Sequence, residues 1–216
     1  MYRLLHIDSS ILGEASASRA VSRALVAAWS AAHPDTAIMS RDLAASLPPH
    51  MTVDLVTGLA TEPDRRTPAQ AAAVALSDTL IAEAEAADVI VIGAPMYNFT
   101  IPSTLKAWID HVVRVQRTVR YTAEGQVEGL LTGKRVFVVA SRGGIYSEGP
   151  RQAFDFQEPY LRTILGFVGL TDTTFIRVEG LGMGPEAAAE GLARAHRTVA
   201  ELVAPGRAAP GRAAAA

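Results

Sequence analysis

The chain has 216 residues, with 20 basic and 22 acidic side chains and a net charge of −2 at neutral pH. This length suits one sizeable α/β domain, and the balanced charge offers no basic surface for binding nucleic acid. The sequence contains no cysteine, which excludes disulfides, thiolate nucleophiles, iron–sulfur clusters and cysteine-bound zinc. Any redox chemistry therefore requires a bound cofactor.

Neither an export signal nor a membrane span is predicted. The apolar run at the N-terminus ends at Asp8, which makes it too short for a signal peptide. The longest stretch without charged residues or histidine is residues 89–105, and it contains Pro95, Asn98 and Pro102. Such residues suit a buried strand and a loop better than a membrane helix. We therefore expect a cytoplasmic protein.

Short runs rich in β-branched residues predict five strands, at residues 2–8, 36–42, 88–94, 134–140 and 171–179. Helix-period segments separate most of them, an alternation typical of βαβ units around a parallel sheet. We predict a flavodoxin-like doubly wound α/β fold, with the five strands in the order 2-1-3-4-5 and helices on both faces. Ligands of such sheets bind beyond the carboxyl ends of the first and third strands.

The helices are predicted from apolar spacing and from capping residues. The first has Val21 and Leu25 on one face, and Ser18 is placed to cap it. The second begins at residues 67–70, where a threonine cap precedes a proline and a reciprocal glutamine, and it runs to about Ala86. Further helices are predicted near Ser103, over residues 154–167 and from Pro185.

Three stretches lack a regular pattern. Residues 43–66 contain several prolines, which indicates a long loop. The sequence of residues 117–133 indicates a second long loop, with a hairpin near Tyr121. The last residues are rich in alanine, proline and glycine. We therefore assign the domain to residues 1–204 and predict a disordered tail at residues 205–216.

The serine loop, Ser9–Ser18, follows the first strand and leads into a helix. Its Ser10, Ser16 and Ser18 hydroxyls and its free backbone amides are groups that bind phosphate at helix N-termini. The loop lacks the P-loop lysine and the G-x-G-x-x-G spacing, so a lone monophosphate fits better than a triphosphate or a dinucleotide. The alternative is an ordinary connection in which Ser18 acts only as a helix cap.

The aromatic loop, Ala94–Pro102, follows the most apolar strand. Its apolar side chains would stack on a planar heteroaromatic ring, and the Asn98 amide could address the polar edge of that ring. The alternative for this segment is a packed surface loop.

The glycine loop, Ser141–Tyr146, follows the fourth predicted strand. Gly143 and Gly144 would let backbone amides approach a ligand where any Cβ would collide, although paired glycines also occur in ordinary turns. The position of the loops favours one shared site, because the carboxyl ends of parallel strands meet at the same edge of a sheet.

Three segments carry a specific resemblance: PMYNF at residues 95–99, IPSTLK at 101–106 and SRGG at 141–144. They are similar to the FMN-dependent NADH-azoreductase family, and the resemblance extends over nearly the whole chain up to Val203. It implies a homodimeric flavoprotein with one FMN per subunit near the dimer interface. It also implies that NADH is the reductant and that quinones and aromatic azo compounds are the acceptors.

The resemblance also implies a role for individual positions. The phosphate end of FMN would be bound by Ser10, Ser16, Ala17 and Ser18. The ring would be lined by Met96, Tyr97, Asn98 and Phe99 together with Ser141, Arg142, Gly143 and Gly144. Tyr121 would border the substrate pocket. No metal site is expected, because the histidines are scattered outside zinc-binding spacing. No side chain is required as an acid or base, since the flavin carries the chemistry.

The expected reaction passes hydride from NADH to the flavin and then to a quinone or azo compound. Both substrates would use one slot in turn, which predicts ping-pong kinetics. The alternative is a flavodoxin-like FMN electron carrier without reductase activity, although such carriers are usually shorter and strongly acidic. A third possibility is a flavin-free binding module on the same fold. The sequence leaves open the natural acceptor and the choice between NADH and NADPH.

Overall fold

The structure, a computed structural model, describes residues 1–204; the predicted tail at residues 205–216 lies outside the described residues. The strands are β1 Tyr2–Asp8, β2 Thr36–Asp42, β3 Val89–Pro95, β4 Val119–Tyr121, β5 Val127–Gly129, β6 Arg135–Ser141 and β7 Asp172–Val178. The α-helices are α1 Ala17–Ala32, α2 Val53–Leu59, α3 Pro68–Ala86, α4 Ser103–Val112, α5 Glu158–Phe167 and α6 Pro185–Leu202. Short 3-10 turns occur at Gly13–Ala15, Pro63–Arg65 and Pro150–Phe154.

The main sheet has five parallel strands in the order β2-β1-β3-β6-β7. Counted along the main strands alone, this is the predicted order 2-1-3-4-5, so the flavodoxin-like fold is confirmed. The register pairs Asp8 with Gly93 and Pro95 with Ser141. The carboxyl ends of β1, β3 and β6 therefore lie side by side.

Helices pack on both faces of the sheet, as predicted. One apolar core lies between the sheet and α3, α4 and α5, and it includes Ile92 and Trp108. The other lies between the sheet and α1 and α6, and it includes Val91 and Trp29. Every residue of β3 is buried, as expected of a central parallel strand that is covered on both faces. In the part of the chain that the structure describes, no helix is both long and apolar enough to span a membrane.

The capping interactions confirm one helix start and correct another. Thr67 accepts a hydrogen bond from the Gln70 amide, and the Gln70 side chain accepts one from the Thr67 amide, which is the predicted reciprocal pair. The cap of α1, by contrast, is Ser16, whose hydroxyl accepts from the Arg19 amide. The prediction of Ser18 was wrong because Ser18 already lies in the first helical turn.

The structure also corrects two other predictions, a missed helix and the start of another. The stretch at residues 43–66 contains α2, which the sequence reasoning missed because a two-turn helix offers little periodicity and Gly58 suggested a loop. Gly58 instead permits close packing on α3, since a Cβ there would lie 3.0 Å from a Val74 methyl carbon. The helix predicted over residues 154–167 begins only at Glu158, where Asp155 accepts hydrogen bonds from the first amides.

Candidate functional site

The serine, aromatic and glycine loops all leave the carboxyl edge of the main sheet and are joined by direct contacts. The Tyr97 hydroxyl accepts a hydrogen bond from the Ile11 amide at 3.3 Å and lies 3.4 Å from the Ser10 hydroxyl. The Met96 amide donates to the Ser141 carbonyl at 2.7 Å. The three loops predicted to converge therefore form one surface.

The serine loop presents hydroxyls and unpaired amides at the N-terminus of α1. Ser10, Ser16 and Ser18 are buried, and the hydroxyls of Ser16 and Ser18 lie 3.0 Å apart. Within residues 1–204, no acceptor reaches the backbone amides of Ala17 and Ser18. Because the first amides of a helix need external partners and favour negative charge, this end of α1 suits an anion.

A buried arginine beneath the serine loop fixes its backbone. Arg19 donates to the Ser10 carbonyl at 3.3 Å and pairs with Asp42 at 2.6 Å and with Asp8 at 3.5 Å. The hydrogen bond to Asp42 raises the pKa of Arg19, and the same bond lowers the pKa of Asp42. Arg19 is therefore a charge balanced by two carboxylates that orients the loop. The sequence reasoning missed it, since its partners come from distant strands.

The aromatic loop contains a tight turn in an unusual backbone conformation. Asn98 and Phe99 have φ values of 48° and 71°, and the Tyr97 and Thr100 backbones exchange two hydrogen bonds across them. Non-glycine residues in this region cost on the order of 1–3 kcal/mol each, and such strain concentrates at functional sites. The turn leaves the side chains of Asn98 and Phe99 exposed at the sheet edge.

Aromatic rings from two further segments extend the Phe99 surface. The Phe99 ring centroid lies 5.5 Å from that of Phe154 and 6.2 Å from that of Tyr146. Phe154 is half exposed. This apolar wall suits a planar aromatic ligand. Phe154 was not among the predicted site residues, because its segment was assigned to a helix.

The glycine loop offers an accessible backbone beside this wall. A Cβ added at Gly143 would meet no atom within 4 Å, whereas one at Gly144 would lie 2.7 Å from the Arg151 guanidinium. The carbonyls of Gly143 and Gly144 accept hydrogen bonds from the amides of Gly182 and Gly180, which hold the loop in place. The open side of Gly143 is where a ligand could contact the backbone directly.

Two predicted residues occupy unexpected positions. The Arg142 side chain points into the protein and is completely buried among carboxylates, so it does not line the open surface beside Gly143. Tyr121 is 57% exposed on the β4–β5 hairpin, whose base is bonded to Val168 after α5. That attachment lies at the amino edge of the sheet, and within residues 1–204 no hydrogen bond or ring contact joins Tyr121 to the three loops.

Comparison with known proteins identifies the family. Residues 2–203 match a protein family defined by a flavodoxin-like fold. The chain is 49% identical over 203 residues to an FMN-dependent NADH:quinone oxidoreductase of Herminiimonas arsenicoxydans, which covers 94% of this chain and 99% of that protein. An enzyme of the same name from Azotobacter vinelandii is 48% identical over 202 residues, covering 94% and 100%.

Among solved structures, an azoreductase of Bacillus anthracis superposes with a TM-score of 0.87 at 30% identity, covering 94% of this chain and 99% of that one. The chain belongs to the family of flavodoxin-like FMN-dependent NADH:quinone oxidoreductases and azoreductases. Membership of this oxidoreductase family confirms the resemblance on which the site residues were assigned. The residues present fit a phosphomonoester joined to a planar ring, because unpaired amides and hydroxyls adjoin an apolar wall and an open glycine.

Proposed function

We propose that this chain is an FMN-dependent NADH:quinone oxidoreductase that also reduces aromatic azo compounds. The observation that carries the proposal is the convergence of the three loops through the contacts of Tyr97 and Met96. It is supported by the names of relatives that share 48–49% identity over almost their full length. When bound, FMN would supply the two-electron chemistry that the amino acids of this chain lack.

The roles of the side chains follow from their positions. Ser10, Ser16 and Ser18, with the free amides of Ala17 and Ser18, would bind the FMN phosphate at the positive end of α1. The aromatic loop and the Gly143 backbone would hold the ring, with the Asn98 amide available to its polar edge. Phe99 and Phe154 would orient a flat acceptor and exclude water beside the ring.

The role of Ser16 can be separated from simple helix capping by the substitution Ser16→Asp. Aspartate caps a helix as well as serine does, so the melting temperature of the apoprotein should hold or rise slightly. A carboxylate facing a phosphate at about 4 Å would repel it by roughly 4 kcal/mol per unit charge at an effective dielectric near 20. Even half of this repulsion energy would weaken FMN binding about thirtyfold. The affinity is measured by titration, from the quenching of flavin fluorescence.

Two controls match this test: binding of riboflavin, and the same substitution at the capping residue of a different helix. Riboflavin lacks the phosphate, so its affinity should be the same for Ser16→Asp and for wild type. Thr52→Asp makes the same chemical change at the cap of α2, where Thr52 accepts from the Leu55 amide. This control should bind FMN as wild type does. Unchanged FMN affinity in Ser16→Asp would remove Ser16 from the phosphate site.

The reaction itself is tested by steady-state kinetics with NADH and menadione. The protein should purify yellow with about one FMN per chain, and NADH should bleach it anaerobically until the quinone restores the colour. Because both substrates would use the same apolar surface in turn, double-reciprocal plots should give parallel lines. Intersecting lines would refute the shared slot, and bleaching without turnover of the quinone would favour the electron carrier.

We also assign the chain to a homodimer, and three exposed side chains support this. Val115, Tyr121 and Val127 lie on or beside the β4–β5 hairpin and are each about half exposed. A second copy would cover this apolar surface. The hairpin of one copy is anchored at the amino edge of the main sheet of that copy. A dimer would explain how its Tyr121 could border the substrate pocket of the other copy. Light scattering should give about twice the chain mass of 22.8 kDa, and a fully active monomer would contradict the assignment.

A further inference from the structure

Arg142 lies at the centre of a buried polar network behind the glycine loop. Its guanidinium side chain is 0% exposed. Its partners are Asp155 at 3.0 Å, Glu158 at 3.4 Å, Glu179 at 3.1 Å and the Gln157 side-chain oxygen at 2.9 Å. All of these partners come from segments that follow the glycine loop in sequence and surround it in space.

Glu179 connects this network to the far end of the glycine loop. One of its carboxylate oxygens accepts hydrogen bonds from the amides of Tyr146 and Ser147 at 2.8 and 3.0 Å, and the other accepts from the Ser147 hydroxyl at 2.5 Å. Because Arg142 is the second residue of the loop and Glu179 binds its last residue, their ion pair connects the two ends of the loop on either side of Gly143 and Gly144.

Gln157 and Asp155 connect the same guanidinium to the aromatic loop. The side-chain amide Nε2 of Gln157 donates to the Ala94 carbonyl at 2.9 Å, near the point where β3 leads into that loop. Asp155 lies one residue before Phe156, whose amide donates to the Phe99 carbonyl at 3.1 Å. Arg142 therefore contacts residues that fix both segments predicted to line the ring.

The charges in this network are balanced: Arg142 and its carboxylate partners are buried, while the side chains of Arg162 and Arg177 are about half exposed. Arg142, Arg162 and Arg177 face three carboxylates in all. Burial alone would raise the pKa of Glu158, but its hydrogen bonds to Arg177 and Arg162 hold that pKa below its usual value. Burial also acts to raise the pKa of Glu179, and the hydrogen bonds from Ser147, Tyr146 and Arg142 again bring it below the usual value.

A buried ion network carries a large desolvation cost and is weak evidence for stability. Its value here lies in geometry, since a planar guanidinium can bind several partners in fixed directions, which an ammonium cannot. We propose that Arg142 is a positioning residue for the flavin ring, which sets the glycine loop and the aromatic loop at the spacing that the ring requires. This inference rests on the proposed function, and it replaces the direct ring contact expected for the Arg142 side chain.

The test compares Arg142→Lys with Arg114→Lys in the full-length apoprotein. Arg114 is also largely buried and pairs with Asp78 at 2.6 Å, but it follows the end of α4, at the opposite edge of the sheet. Binding of riboflavin, which reports on the ring region alone, is measured by quenching of flavin fluorescence. Arg142→Lys should weaken riboflavin binding roughly tenfold to a hundredfold, the scale expected for misplaced binding groups. FMN binding should weaken by the same factor.

Arg114→Lys should lower the melting temperature but leave both affinities unchanged. If Arg142→Lys loses stability while its folded fraction binds riboflavin as wild type does, Arg142 is only structural and the inference is overturned. Glu179→Gln gives a second, independent test, because its amide oxygen can still accept from the Tyr146 and Ser147 amides while one counter-charge of Arg142 is lost. Weaker riboflavin binding in Glu179→Gln supports the inference, and an unchanged affinity contradicts it.

Wild-type protein provides the reference for the proposed function. Wild type that binds riboflavin and FMN supports the flavin site, and any failure of the Arg142 inference then appears only in the variants. Wild type that binds neither flavin would overturn the proposed function and this inference with it. The two failures therefore give different patterns of binding.

Discussion

The parallel pairing of β3 between β1 and β6 is the constraint on which the site depends. It aligns three carboxyl ends, and each strand leads into a loop of a different chemical character. Serine hydroxyls and helix amides follow β1, an aromatic turn follows β3, and an open glycine backbone follows β6. The Tyr97 hydroxyl and the Met96 amide join these loops directly. The register of the strands therefore determines which groups lie side by side on the binding surface.

The surface is maintained at some cost in stability. Asn98 and Phe99 adopt left-handed backbone conformations, and the network around Arg142 removes several charges from water. On the opposite face of the sheet, Arg19 is buried against Asp42 and Asp8 beneath the serine loop. Strain and buried charge thus lie close behind the ligand surface, where they fix the directions of backbone groups. This arrangement is expected where a ligand must be held in one orientation.

The sequence was sufficient to predict what depends on local patterns. The strand order, the Thr67 capping pair and the convergence of the three loops follow from hydrophobic period, turn residues and the rules of parallel sheets. Contacts between distant segments could not be predicted in this way. The inward direction of the Arg142 side chain depends on Glu179, 37 residues away. The role of Arg19 depends in the same way on Asp42, and the contribution of Phe154 to the aromatic wall depends on Phe99.

Hydrogen–deuterium exchange of the apoprotein with and without FMN tests the location of the site most directly. FMN should slow exchange at the Ala17 and Ser18 amides, in the aromatic loop and at Gly143 and Gly144, because these backbone groups would contact the cofactor or be shielded by it. Protection confined to residues such as Phe175 and Arg194, which line a cavity of about 310 Å³ between β7 and α6, would contradict the placement of FMN on the surface formed by the three loops.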